Sequence, residues 1–244
     1  MTRLDCFVTG TDTGIGKTHA SATLLRALRA CGLSSVGMKP VASGCEWRDG
    51  HWRNDDVAQL RAASSVSVPL EQTCPFLLRK PCSPHLAAAH EGVRITRSPI
   101  RAAFNAMARR ADAVVVEGVG GFHVPLDAGA VRWSTADLAV MLNLPVIVVV
   151  GIRLGCLNHT MLTAEAIRAR SLKLAGWIAN RIDPDMLLPD ESISTLCDTL
   201  DAPCLGELPW GLEPADAAVR LDLTPLMAAA ASIRRHPAPL SLAA

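Results

Sequence analysis

Short apolar runs recur along the chain, and most of them do not alternate with polar residues. They lie at Leu4–Thr9, Val36–Met38, Ala113–Val116, Val146–Val150, Leu174–Ala179 and Leu205–Leu208, and they are rich in Val and Ile. Unbroken runs of this length read as strands of a parallel sheet covered on both faces. Between them, the spacing of apolar residues changes to that of helices. Lys17 to Ala30 places Leu24, Leu25 and Leu28 on one face, and Ile100 to Arg110 and His159 to Arg170 are further helical stretches. Strand–helix alternation predicts a doubly wound α/β fold with a mainly parallel sheet and helices on both faces. Ligands of such sheets sit beyond the carboxyl ends of the strands. The polar segment Cys45 to Asp55, with Trp47 and Trp52, reads as a surface loop. The chain reads as one domain over 1–231, and Ser232 to Ala244, with its prolines and small residues, as a flexible tail. No repeat or domain linker stands out.

Composition narrows the picture. The chain has 244 residues, of which 50% are hydrophobic and 19% charged, a globular balance with room for a large single core. A formal charge of +1 gives no global attraction to nucleic acid or to an acidic membrane. Eight cysteines are scattered without a C-x-x-C pair, which supports neither a zinc ribbon nor a dithiol motif. Cys6, Cys31 and Cys197 read as small buried hydrophobes in a reducing compartment. The start of the chain lacks a signal-peptide pattern, and the run Leu144 to Gly151 is far too short for a membrane span. These features predict a cytoplasmic protein.

The strongest chemical signal is Gly10-Thr11-Asp12-Thr13-Gly14-Ile15-Gly16-Lys17-Thr18, between an expected strand and an expected helix. That is the context of a phosphate-binding loop, and it sharpens the fold expectation to a P-loop NTPase-like sheet. Backbone N–H groups from Thr13 to Gly16 and the helix N-terminus would face phosphate oxygens. Lys17 would reach the β and γ phosphates, and the Thr18 hydroxyl would serve magnesium. Five residues, Thr11 to Ile15, separate Gly10 from Gly16, one more than in the strict motif.

Other candidates also stand at strand ends. Lys39 could hold a second negative group, although taken alone it reads better as an ordinary exposed lysine; Ser43 and Gly44 follow as turn residues. Glu117 ends an apolar strand before Gly118-Val119-Gly120-Gly121, which suits a magnesium carboxylate. Asp55 and Asp56 read as helix-capping residues, a role compatible with a metal contact. Asn180 carries a donor and an acceptor for a purine edge, and reads as well as a turn former. His85 and His159 lie in no cluster with metal spacing and read as structural rather than as acid–base groups.

Taken in order, these segments resemble the dethiobiotin synthetases. The likeness runs through Val8–Thr13 with Gly16-Lys17-Thr18, Lys39–Gly44, Ser83-Pro84-His85, Val116-Glu117-Gly118 with Gly120-Gly121, and Pro125-Leu126. It continues through Gly151, Leu154-Gly155-Cys156, Asn158-His159, Gly176–Asn180 and Gly206–Trp210. The longer phosphate loop is the family's own form.

The resemblance implies a homodimer that uses ATP, magnesium and carbon dioxide to close a ureido ring on 7,8-diaminononanoate, a step of biotin synthesis. It implies no nucleic-acid or membrane partner. By position, Lys17 and Lys39 would be the catalytic lysines, and Thr18, Asp56 and Glu117 the magnesium ligands. Thr13 to Thr18, Glu117, Asn180 and Pro209 would hold the nucleotide. Thr11, Ser43 and the segment Leu154, Gly155, Cys156, Leu157 and Asn158 would contact the diamine, the last segment across the dimer interface. Gly14 stands where the family commonly has Glu, Phe122 where it has Trp, and Cys45 to Asp55 matches poorly. Two rivals have weaker support. An amidoligase-like ATPase would need a glutamine-handling domain. A partitioning or membrane-positioning ATPase would carry a further lysine where Thr11, Asp12 and Thr13 stand.

Overall fold

The structure is a computed structural model that describes residues 3–127, 129 and 132–228. The expected tail from Ser232 lies outside the described residues. The chain opens with β1 (Cys6–Gly10), α1 (Lys17–Ala30), β2 (Ser35–Met38) and β3 (Val41–Ala42). A hairpin of β4 (Glu46–Arg48) and β5 (His51–Arg53) follows, then α2 (Asp55–Ala63), α3 (Leu70–Thr73), β6 (Phe76–Leu77), α4 (Pro84–His90) and α5 (Arg97–Ala108). The second half runs through β7 (Ala113–Glu117), α6 (Thr135–Leu142), β8 (Val146–Ile152) and α7 (Cys156–Ala169). It continues with β9 (Leu174–Arg181), α8 (Pro189–Thr199), β10 (Cys204–Leu208) and α9 (Pro214–Ala217).

Six strands form one sheet in the order β10-β9-β8-β1-β7-β2, with every pair parallel. Each of them matches one apolar run of the sequence to within two residues at either end. The period of two along a strand divides the core. Phe7, Val114, Val116 and Val148 face a layer built by Ile100, Met107, Leu138 and Ile167 of α5, α6 and α7. Cys6, Val8, Val115, Ile147 and Val149 face Leu24, Leu25 and Leu28 of α1 and Leu60 of α2. Both faces are therefore dry, which is why these strands carry no polar alternation. β1 lies between β7 and β8, so the chain crosses to opposite sides of it, and the loop after β1 opens into the crevice that such a crossing leaves. No helix among the described residues is long and apolar enough to cross a membrane.

Two expectations are corrected. Cys45 to Asp55 is largely a hairpin, in which Glu46 pairs with Arg53, Trp47 with Trp52 and Arg48 with His51. Its turn is Asp49-Gly50 with φ of 51° and 79°, the double left-handed conformation that matches strand twist. The two indoles meet edge-on at 5.4 Å, and the Arg79 guanidinium lies 5.1 Å from the Trp52 ring. Cys6 is buried as expected, but Cys31 and Cys197 are exposed. Cys31 closes the C-terminus of α1, and Cys197 lies beside Leu196, the one buried residue of α8.

Candidate functional site

The P-loop leaves β1 and enters α1 through two left-handed glycines. Gly14 and Gly16 have φ of 74° and 78°. A Cβ on Gly16 would run into the Asn180 amide, which lies under the loop with its Nδ2 donating to the Ile15 carbonyl at 2.8 Å. Glycine is thus required twice over at Gly16, by conformation and by contact. A Cβ on Gly14 would meet nothing within 4 Å, so the missing glutamate costs the fold no packing. Ile15 turns its side chain inward, 1% exposed, and offers only backbone to a ligand. Lys17 Nζ donates to the Asp12 carbonyl at 2.7 Å, which draws its chain back over the loop.

Two further strand ends deliver charge to the same place. Glu117, at the tip of β7, is fully buried. Its Oε1 accepts the Thr18 hydroxyl at 2.8 Å and the Lys39 ammonium at 2.5 Å. Its Oε2 is buried without a partner among the described residues. Lys39, just past β2, also reaches Asp56 Oδ2 at 2.8 Å. Asn54 caps α2, and Asp56 lies in the first turn of that helix, so the cap and the charged contact belong to neighbouring residues.

The proton affinities of the two lysines are shifted in opposite directions. Burial, with the repulsion of Lys39, pushes Lys17 down to about 8. Burial would lower Lys39 too, but the carboxylates of Glu117 and Asp56 outweigh it and hold Lys39 above the ordinary lysine range. Burial opposes ionisation of Asp56, and the Lys39 charge more than offsets this, keeping its carboxyl below the usual range. Burial lowers His19, against a smaller opposing pull from Glu213.

Three cavities adjoin along this crevice. The central one, about 450 Å³, is lined by Thr13, Gly14, Gly16, Lys17, Thr18, Lys39, Ser43, Asp56 and Glu117. It shares His19 with a smaller cavity of about 210 Å³ that holds Asn180, Pro209, Trp210 and Glu213. On its other flank it shares Thr13, Ser43, Val119 and Gly120 with a cavity of about 440 Å³ walled by Pro81, Pro84 and Val124. The trough thus runs from an amide-bearing end, through a charged centre, to an end of hydroxyl and apolar groups.

Not every candidate joins it. Thr11 lines none of these cavities; its N–H closes on the Val149 carbonyl at 3.2 Å. Leu154, Gly155, Leu157 and Asn158 are exposed, and Cys156 is buried at the start of α7; none of the five lines the trough. His85, whose Nδ1 is buried without a partner among the described residues, and His159, exposed on α7, lie outside it as well.

Sequence reasoning overlooked Asp12, His19 and Gln59. His19 and Gln59 line the central cavity, and Asp12 holds Lys17 through its carbonyl while its carboxylate pairs with Arg153 at 2.5 Å. Gln59 follows Asp56 by three residues, a same-face helical spacing that could have marked it; His19, the residue after Thr18, has no such mark.

Among the described residues no group of three or more His, Cys, Asp or Glu side chains could cage a metal ion. Two carboxylates and one hydroxyl converge instead, with one buried carboxylate oxygen unpartnered. That donor set fits magnesium, which keeps several waters and shares its remaining positions with phosphate oxygens.

Comparison with known proteins agrees with this geometry. Residues 5–216 match a family model described as an AAA domain. The chain is 56% identical over 219 residues to a protein of Aromatoleum aromaticum named ATP-dependent dethiobiotin synthetase BioD, covering 89% of this chain and 96% of that one. It is 54% identical over 228 residues to a protein of the same name from Ralstonia nicotianae, covering 93% and 98%. Among solved structures, the Aquifex aeolicus MinC:MinD cell division complex aligns with a TM-score of 0.52 at 15% identity, covering 97% of this chain and 98% of that one. FlhF complexed with GMPPNP and magnesium aligns with a TM-score of 0.52 at 14% identity, covering 88% and 69%. At such low identity these two likenesses speak for the α/β fold alone.

Proposed function

The chain belongs to the ATP-dependent dethiobiotin synthetase family, and from that premise we propose that it carboxylates and cyclises 7,8-diaminononanoate. The products are dethiobiotin, ADP and phosphate. The observation that carries the reading is the convergence of Lys17, Lys39, Thr18, Asp56 and Glu117 on one cavity that opens at either end into another.

The chemistry asks for that arrangement. One amine of the substrate adds to carbon dioxide and loses a proton, which gives an anionic carbamate. A carbamate oxygen attacks the γ phosphorus of ATP, ADP leaves, and a carbamic-phosphoric anhydride forms. The second amine attacks its carbonyl carbon and expels phosphate, closing the ring. Two anions must therefore meet while one attacks the other. Lys17 is placed to neutralise the phosphates. Lys39 keeps its proton between Glu117 and Asp56, so its role is that of a fixed positive charge rather than a base. Thr18, Asp56 and Glu117 would hold magnesium, which when bound adds positive charge at the β and γ phosphates. Positioning and electrostatics then supply the catalysis, with no covalent protein intermediate.

The remaining assignments belong to the same proposal. Asn180 and Pro209 take the base in the smaller cavity, Thr13 stays with the nucleotide, and Ser43 faces the diamine at the other end. The protein works in the cytoplasm as a homodimer of single-domain chains, in which Leu154 to Asn158 serve the partner's diamine site. Exposure of Leu154, Gly155, Leu157 and Asn158 away from their own chain's trough supports that placement.

The test is phosphate release from MgATP and bicarbonate, with and without 7,8-diaminononanoate, with the product weighed by mass spectrometry. Diamine-dependent release with dethiobiotin formed is the expected result. Release indifferent to the diamine, with no ring product, would overturn the assignment.

A further inference from the structure

The chain leaves the central cavity at Ser43, runs out through the β4–β5 hairpin and returns to the cavity at Asp56. Both ends of this excursion carry site chemistry. Ser43 lines the central cavity and the apolar-walled one beside it, and Asp56 pairs with Lys39. One side chain closes the excursion at its base. Asn54 is half-buried; its Oδ1 accepts the Val57 N–H at 3.2 Å and caps α2, while its Nδ2 donates to the Ser43 carbonyl at 3.2 Å. The next two residues are held from the other side, since the Gly44 N–H donates to the Lys80 carbonyl and the Cys45 N–H to the Leu78 carbonyl.

The choice of residue is informative. Capping alone is served as well by Ser, Thr or Asp. Of the favoured capping side chains, only Asn carries its acceptor and its donor on separate atoms, so that the oxygen can cap the helix while the nitrogen reaches the Ser43 carbonyl. We propose that Asn54 is a positioning residue that fixes the Ser43 loop against the Asp56 helix, and so sets the diamine at a defined distance from the γ phosphate. The proposal rests on the reading of Ser43 as a diamine contact.

Variants separate the two bonds. Asn54→Asp keeps a capping oxygen and has no donor for Ser43, and Asn54→Ser keeps its oxygen on a side chain too short to span both partners; Asn54→Ala loses both bonds. The readouts are amide hydrogen exchange at Ser43–Arg48 and along α2, together with KM for the diamine and for MgATP. In Asn54→Ser and Asn54→Asp, exchange at Gly44 and Cys45 and KM for the diamine should each rise about fivefold, the size of one neutral hydrogen bond. Protection of α2 and KM for MgATP should stay at wild-type values. Asn54→Ala should add fraying of α2 and a raised KM for MgATP. Wild-type exchange at Gly44 and Cys45 with a wild-type diamine KM in Asn54→Ser would reduce Asn54 to a helix cap and overturn the proposal. Should that variant fail to fold, Asn54→Asp decides on the same readouts. If the wild-type protein makes no dethiobiotin, the functional reading fails while the exchange pattern still decides whether Asn54 holds Ser43.

Discussion

Lys17 and Lys39 bring the same side chain to one cavity with their proton affinities shifted in opposite directions. Lys39 sits between two carboxylates, whereas Lys17, among the described residues, donates to the Asp12 carbonyl alone and is pushed down to about 8, chiefly by its own burial. A phosphate contact needs the ammonium form, so nucleotide affinity should be constant below pH 8 and fall above it, by up to about tenfold per pH unit. Titration calorimetry at pH 8.5 in buffers of differing ionisation heat should show proton uptake on binding MgATP, and at pH 6.5 none; no uptake at pH 8.5 would remove Lys17 from the phosphate site. Stability has the opposite sign. The unfolded chain keeps this proton up to its ordinary 10.5, so the penalty of the buried charge is full below pH 8 and is relieved as pH rises from 8 towards 10.5. Much of the site was legible at this scale. Lys17, Thr18, Lys39 and Glu117 each end a strand or begin a helix, and strand ends are where an α/β sheet collects its ligand groups. Asp12, His19 and the Asn54 clamp were not, because their roles depend on which neighbour a side chain or carbonyl meets, and no local pattern encodes that.

Helix α6 shows how an element away from the charges can hold the site. Its first residue, Thr135, is fully buried, and its hydroxyl donates towards the carbonyls of Phe122 at 2.5 Å and Gly121 at 2.9 Å while accepting the Val124 N–H at 3.1 Å. These partners belong to the loop that follows Glu117, whose Val119, Gly120 and Val124 wall two of the cavities. The helix start is in turn fixed by a capping box, in which Ser134 and Asp137 satisfy each other's backbone N–H groups. Thr135→Val keeps the volume and strands the loop's polar groups, so it should cost about 1–3 kcal/mol of stability. In a chain of this size that is a melting point lower by roughly 2–10 °C. Calorimetry should show that loss together with a raised KM for both ATP and the diamine; an unchanged melting point would mean the loop holds itself. The long strands and α1 could be read from the sequence because each buries a continuous run. The β4–β5 hairpin was missed because strands of three residues are too short to show alternation, and its Asp49-Gly50 turn was the only local mark. Helix α6 escaped for a related reason: eight residues that are apolar nearly all round show little periodicity, and the capping box was the sign that remained.

At the scale of the whole molecule, the trough accounts for one end of the reaction better than the other. In the proposed reaction, phosphate, magnesium and the reacting amines would all find groups within one chain, but the diamine also carries a carboxylate at the far end of an aliphatic chain. The apolar-walled cavity that would take this chain is lined by Thr13, Ser43, Pro81, Cys82, Ser83, Pro84, Val119, Gly120 and Val124, with no cationic side chain among them. Among the described residues, its own chain would therefore leave the carboxylate without a charged partner there. In the proposed homodimer, the β8–α7 turn of a second copy would stand there. Leu154 is 93% exposed, and Leu157 and Leu162 remain 37% and 56% exposed, apolar surface that a subunit interface would cover. The turn is also tied back to the phosphate loop through Arg153 and Asp12, so docking a partner against it would bear on the loop as well as on the diamine. Leu154→Glu should weaken self-association in sedimentation equilibrium. It should leave MgATP binding near the wild-type value and raise KM for the diamine about tenfold or more, the cost of burying one unpaired charge. Specific activity of the variant should then climb with protein concentration as dimers re-form. A variant that becomes monomeric yet turns over the diamine with wild-type KM would show that each chain completes its own site.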